Sequence, residues 1–113
     1  YDKTDTDIKR EREAASEVFA SLPEELQKVG YDCWREYENQ SSPEARFAYA
    51  LDKIEPLFEL MDSTSASSIK RLKVTYDMHV KNKFPAVQNY PTMRRFVEVI
   101  SKDMLDRNLF WKE

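Results

Sequence analysis

The sequence predicts an all-α fold of about five helices, and three observations carry that prediction. Glu, Lys, Arg, Ala and Leu are abundant, while glycine occurs once in 113 residues. That composition favours helices over a turn-rich sheet fold. Apolar residues recur every three or four positions along several segments, the period of a helix with one buried face. Two serine-and-proline starts, each followed by glutamate, have the chemistry of helix N-termini. Hydrophobic residues at 41% and aromatic residues at 12% allow a packed core and exclude wholesale disorder.

In chain order, residues 1–7 are polar and aperiodic and read as a tail or a loop. Ile8, Ala15, Val18, Phe19 and Leu22 then recur at helical spacing, with Thr6 or Asp7 as the cap. Ser21-Leu22-Pro23-Glu24 opens a second helix to about Glu38, with Leu26, Val29, Cys33, Trp34 and Tyr37 on one side. Gly30 weakens that helix by about 1 kcal/mol relative to alanine, so either another backbone passes close by or the helix breaks there. Asn39-Gln40-Ser41 turns into a third helix, capped by Ser42 with Pro43 in its first position, or alternatively by a Ser41–Glu44 capping box. Its stripe runs through Ala45, Ala48, Leu51, Ile54, Leu57, Phe58 and Met61. Asp62-Ser63-Thr64-Ser65-Ala66-Ser67-Ser68 reads as an exposed linker. Ile69, Leu72, Tyr76, His79, Val80 and Phe84 form a fourth helix, which Pro85 and Pro91 prevent from continuing. A fifth begins at Pro91, with Met93, Phe96, Val97, Ile100 and Met104 buried and Leu109, Phe110 and Trp111 as a closing apolar patch. The stripes at Val18/Phe19, Cys33/Trp34 and Leu51/Ile54 ask for more cover than five short helices supply.

The net charge of −3 hides an asymmetry. Residues 1–62 hold 16 acidic and 8 basic residues, a balance of −8, whereas residues 63–113 hold 5 acidic and 10 basic, a balance of +5. The simpler reading is two solvated or mutually attracting halves. The sharper one turns Lys70, Arg71, Lys73, Lys81 and Lys83 toward a phosphate-bearing partner. The acidic overall balance argues against a dedicated nucleic-acid binder. No apolar run approaches the length of a membrane span, and no signal-peptide pattern opens the chain. Cys33 is the sole cysteine, so no internal disulfide can form, which fits a reducing, cytoplasmic compartment. A buried, inert thiol is the expectation, since no basic neighbour in sequence activates it. One glycine cannot build a phosphate-cradling loop.

Asp52 is the carboxylate that the pattern leaves in an awkward place. It lies four residues after Ala48, at the margin of the third helix's stripe, and is expected to point inward. Pro56 lacks the N–H that would bond the Asp52 carbonyl, so a kink is expected beside it. A carboxylate half turned into a core needs a partner, either a salt bridge or a bound cation. His79 sits between apolar positions and reads as a core or surface imidazole rather than a ligand. Trp34 and Tyr37 read as core, Glu36, Glu38 and Glu44 as solvated or capping groups, and Lys53 and Glu55 as candidate supports for Asp52.

The run Trp34-Arg35-Glu36-Tyr37-Glu38, then Ser42-Pro43-Glu44-Ala45-Arg46-Phe47, then Ala50-Leu51-Asp52-Lys53-Ile54-Glu55-Pro56 resembles the C-terminal half of HD-domain phosphohydrolases, the small 5'-deoxynucleotidase-like branch in particular. Arg10-Glu11-Arg12-Glu13-Ala14-Ala15 and Leu22-Pro23-Glu24 fit the same pattern, so the resemblance covers residues 1–62. It implies a helical HD-domain-like bundle whose divalent metal is held by an early His, a His-Asp pair and a late Asp. The late Asp matches Asp52. The N-terminal metal-binding helices would lie upstream of Tyr1 and are absent from this chain, leaving it inactive alone. The resemblance further implies a divalent ion (Mn, Co, Ni, Fe, Zn or Mg), (deoxy)nucleoside 5'-monophosphate hydrolysis and a homodimer, with no membrane or nucleic-acid partner. Residues 1–62 are then the C-terminal half of an HD-like domain, 63–68 a serine-rich linker, and 69–113 a helical extension packing on the same domain. The rival reading is a non-catalytic helical interaction module or degenerate HD scaffold.

Overall fold

In the computed structural model, which describes residues 3–113, six α-helices follow one another and no strand occurs among the described residues. α1 spans Asp5–Ala20. Thr4 caps it reciprocally: its hydroxyl accepts the Asp7 N–H at 3.2 Å, and the Asp7 carboxylate accepts the Thr4 N–H at 3.0 Å. The expected start at Ile8 was therefore late, because Asp7 is the far partner of a capping box rather than the cap. Of the tail expected at residues 1–7, Asp5 onward is helical, while Tyr1 and Asp2 lie outside the described residues. Asp5 and Asp7 also place negative charge in the first turn, where the helix dipole favours it.

α2 spans Glu24–Asn39. Its cap position is Pro23, with no side-chain cap. The Ser21 hydroxyl instead donates to the Val18 carbonyl at 2.6 Å and closes α1, so Ser21 does not play the capping role expected of it. The Gln27 side-chain amide donates to the Leu22 carbonyl at 2.8 Å, tying α2 to the turn. Gly30 stays helical, and the close approach there is by a side chain rather than a backbone: a methyl group at this position would stand 2.8 Å from Phe19 Cδ1. Phe19 meets Tyr31 edge-on at 6.2 Å, and Tyr31 lies 5.9 Å from Trp34. Neither α1 nor α2 holds a fully buried residue, and Val18, Leu26 and Val29 are exposed.

α3 spans Pro43–Glu59 and runs through Pro56 without interruption. Ser42 caps it by accepting the Ala45 N–H at 3.0 Å, and the same hydroxyl donates to the Glu36 carboxylate. The chain divides into two compact units, Tyr1–Arg46 and Phe47–Glu113, with the boundary inside α3 rather than at residue 62.

The second unit contains the core: Ala50, Ile54 and Leu57 of α3 pack with Val97, Ile100 and Met104 farther along the chain, and with Val87 and Phe110. Each large side chain buried there contributes about 1.5–3 kcal/mol by removing apolar surface from water. The serine-rich stretch is not a linker. It forms most of α4, Ser63–Arg71, capped by Asp62 accepting the Ser65 N–H at 3.3 Å, with Lys70 and Arg71 in the last turn and Ala66 buried. A good cap, basic residues at the C-terminal end and one buried contact outweigh the weak propensity of serine.

The expected fourth helix is likewise two helices. Lys73 takes φ +55°, ending α4, and the Thr75 hydroxyl accepts the Met78 N–H at 3.2 Å to start α5, Tyr76–Val87. α5 passes through Pro85, contrary to expectation. The proline stands in its last turn, where only one ladder bond is lost. α6 spans Pro91–Asp106 and begins at proline as the sequence predicts, with Val97, Ile100 and Met104 buried. Phe110 is buried and meets Tyr76 edge-on at 5.3 Å, while the Trp111 N–H donates to the Val74 carbonyl at 2.9 Å.

Gly30→Ala should destabilise the protein in urea unfolding, because the Phe19 ring must yield to the new methyl. In a Phe19→Ala background the same change should instead stabilise by about 1 kcal/mol, the helix-propensity gain. Equal effects in both backgrounds would contradict the packing described.

Candidate functional site

α3 sets the position of Asp52. The helix buries Ala50, Ile54 and Leu57, and Asp52 lies two residues from both Ala50 and Ile54. At 3.6 residues per turn this puts it on the opposite side of the helix. Asp52 is exposed, as are Ala48 and Leu51 next to it on the helix surface. The inward orientation expected of Asp52 is thus not what the chain adopts. The predicted stripe divides into a buried face and an exposed one that is also partly apolar, with Leu51 at 43% and Phe58 at 53% exposure. Pro56 cannot donate to the Asp52 carbonyl, yet the helix continues through it.

Two lysines accompany this carboxylate. Lys83, on α5, is half-buried, and burial first, then the Lys53 ammonium, hold its pKa below the ordinary lysine value while Asp52 acts in the other direction. The Lys53 ammonium sits 5.1 Å from the centre of the Tyr49 ring, a cation–π distance. The sequence singled out Lys53 as a support for Asp52 and counted Lys83 only among the basic residues of the second half. Their convergence comes from the packing of α5 within the second unit.

An anionic oxygen at Asp52 suits a hard or borderline divalent cation. Among the described residues, however, no group of three or more His, Cys, Asp or Glu side chains converges to hold a metal. Three or more protein ligands are the usual requirement for a catalytic divalent ion. The residues present therefore offer one donor and do not by themselves form a metal centre.

The other residues singled out are dispersed. His79 is buried, 4% exposed. Its Nε2 lies 2.7 Å from Ser101 Oγ, which spends its only proton on the Val97 carbonyl at 2.5 Å. Nε2 must therefore carry the hydrogen and donate it, which fixes the tautomer. Burial first, and then the Lys83 charge, push the His79 pKa down from 6.5 to about 4. This is a core imidazole, as the sequence suggested. Cys33 is exposed rather than buried. Trp34 is half-buried against Tyr31, and Glu36 accepts from Ser42. The basic residues of the second half do not share one face. Lys81 pairs with Asp77 at 2.7 Å in solvent, Lys73 lies 5.8 Å from the Trp111 ring, Lys83 is beside Lys53, and Lys70 is on α4.

A family described as HD domain matches residues 1–93. The chain belongs to the HD-domain family. The match runs beyond the residue-62 limit of the resemblance read from sequence, through α4 and α5 and into α6. Among curated HD-domain relatives, the chain is 47% identical to the 5'-deoxynucleotidase HDDC2 of Bos taurus over 51 residues, covering 45% of this chain and 25% of that protein. The Homo sapiens protein of the same name is 45% identical over 51 residues, again 45% of this chain and 25% of its own length. The Xenopus laevis protein is 33% identical over 54 residues, 48% of this chain and 27% of its own. The matched stretch thus spans about a quarter of the length of these relatives. No solved structure matches the chain.

His79 makes stability pH-dependent with a defined sign. Unfolded, the imidazole takes a proton near 6.5, whereas folded it resists until about 4. The unfolded state therefore binds more protons between those values, and the His79 contribution is complete above pH 6.5 and lost as pH falls toward 4. Urea midpoints should be lower at about pH 5 than at about pH 7, and His79→Gln should flatten the difference. Equal pH dependence in both proteins would refute a buried neutral imidazole. Cys33, for its part, should react with a soluble thiol reagent in the folded protein without any denaturant, as measured by mass.

Proposed function

We propose that this chain is the part of a metal-dependent phosphohydrolase that carries the late aspartate ligand, Asp52, and that the protein hydrolyses (deoxy)nucleoside 5'-monophosphates. The observation that carries the reading is the HD-domain match over residues 1–93, joined by relatives whose name is 5'-deoxynucleotidase. Asp52 stands on the exposed side of α3 rather than pointing inward, so its role as a ligand rests on the family match and not on the geometry of this carboxylate. Lys53 and Lys83 bring positive charge to the same neighbourhood and suit a phosphate-bearing substrate. A cytoplasmic homodimer is part of the same reading, and the lone cysteine suits a reducing compartment. No helix among the described residues is long and apolar enough to cross a membrane.

A second reading has an observation of its own. The donor set among the described residues contains no convergent group, as a helical scaffold without a catalytic centre would also show. One substitution separates the two. In the full-length protein, Asp52→Ala should reduce phosphatase activity toward deoxynucleoside monophosphates by about a hundredfold or more and weaken divalent-metal binding measured calorimetrically. Helical content and the urea midpoint should change little, because an exposed side chain is removed. Wild-type activity in the variant at saturating metal would reject Asp52 as a ligand, and absence of activity and metal binding in the unmutated protein would favour the scaffold.

A further inference from the structure

One face of α4 and the turn after α6 border an open cavity of about 280 Å³. Ser63, Ser67 and Lys70 line it from α4, and Arg107, Asn108 and Leu109 close it from the other side. The α4 residues stand three and four apart, so the helical period aligns them along a single stripe. This cavity lies wholly within the second unit. Asp52 is not among its walls.

The chemistry of the lining is one-sided. It includes two cations and no carboxylate. Lys70 is exposed in the last turn of α4, where the helix dipole also favours a cation. Arg107 is held in place at its rim: one guanidinium nitrogen donates to the Leu60 carbonyl at 3.3 Å and to Asp103 at 3.2 Å. A guanidinium has five N–H groups, which leaves donors for a ligand. The far wall is shaped by the chain reversal after α6, where Asn108 takes φ +54° and the Leu109 N–H bonds the Met104 carbonyl at 3.0 Å. Ser67 has already committed its proton to the Thr64 carbonyl at 2.8 Å. Its oxygen is therefore an acceptor and suits a ligand hydroxyl rather than a phosphate oxygen. Ala66 and Leu109 add apolar surface.

We propose that this cavity binds a small phosphate monoester bearing a hydroxylated carbon skeleton. Lys70 and Arg107 take the phosphoryl oxygens as charge-assisted donors. Ser67 accepts from a hydroxyl, and Leu109 covers the carbon chain. The volume lies near the lower end of small-molecule sites, which limits the ligand to a size well below a dinucleotide. Asp52 does not line this site, so the proposal does not rest on the metal reading.

The test is a titration of the ¹⁵N-labelled full-length protein with inorganic phosphate and, separately, with ribose 5-phosphate, following backbone amides. Saturable changes at Ser63, Ser67 and Asn108 are expected, with the sugar phosphate binding more tightly than phosphate alone. Lys70→Gln, at an exposed position, should weaken binding roughly tenfold, the loss of one charged contact, without altering the fold. Asp52→Ala should leave the titration unchanged. Absence of saturation at these amides, equal affinity for both probes, or an unaltered affinity in Lys70→Gln would each overturn the proposal. Loss of the titration in Asp52→Ala would place the phosphate at the other site and overturn it as well, whereas loss of activity alone in that variant leaves the cavity assignment standing.

Discussion

One buried imidazole constrains the second half of the molecule. His79 has to stay neutral, donate from Nε2 to Ser101 and lie tilted against Phe110, whose ring centre is 5.2 Å away. A buried polar group without a partner costs about 1–3 kcal/mol, so this short chain of donors ties the register of α5 to that of α6. The Ser101 hydroxyl can serve it only by returning its own proton to Val97 one turn back. Phe110 and the Trp111–Val74 hydrogen bond then bring the end of the chain onto the start of α5. The apolar core of Leu57, Val97 and Met104 supplies most of the burial, but it tolerates rearrangement far better than a buried histidine does.

The first unit obeys a different logic. α1 and α2 are fastened at their ends, by the Thr4–Asp7 box and by Gln27 reaching back to Leu22, and in the middle by Phe19 in the notch that Gly30 leaves. None of these residues is fully buried. Capping and local packing therefore do for this hairpin what a core does for the second unit, and each such contact is worth about 1 kcal/mol.

The features legible in the sequence were those written in local chemistry. Ser42 followed by Pro43 announced α3, and Pro91 announced α6, because caps and first-turn prolines act within a few residues. The features missed needed information from farther away. Serine-rich composition hid α4, whose stability rests on the Asp62 cap and the burial of Ala66. Period-3.6 spacing joined Ile69 to Phe84 across a break at Lys73, since periodicity does not register a single left-handed residue. α3 has apolar residues on two faces, Ala50–Ile54–Leu57 and Ala48–Leu51–Phe58, and pattern alone could not say which one is buried. The choice of face turned Asp52 from an inward residue into an exposed one. Its identity as the residue of interest came from the family resemblance; Lys53 beside it was legible in the sequence, whereas Lys83 came only from the packing of α5.

The close fit of Phe19 into the gap at Gly30 also bears on the order in which the chain assembles. Its partners, Leu22, Gly30 and Tyr31, all lie within about a dozen residues of it along the chain, so little loop entropy is lost in bringing them together. Leu57 and Met104 must meet across far more chain before either is rewarded. Contacts between near neighbours form early and non-local ones late. The helical hairpin is thus placed to be the first element to close and, with no core of its own, the first to reopen.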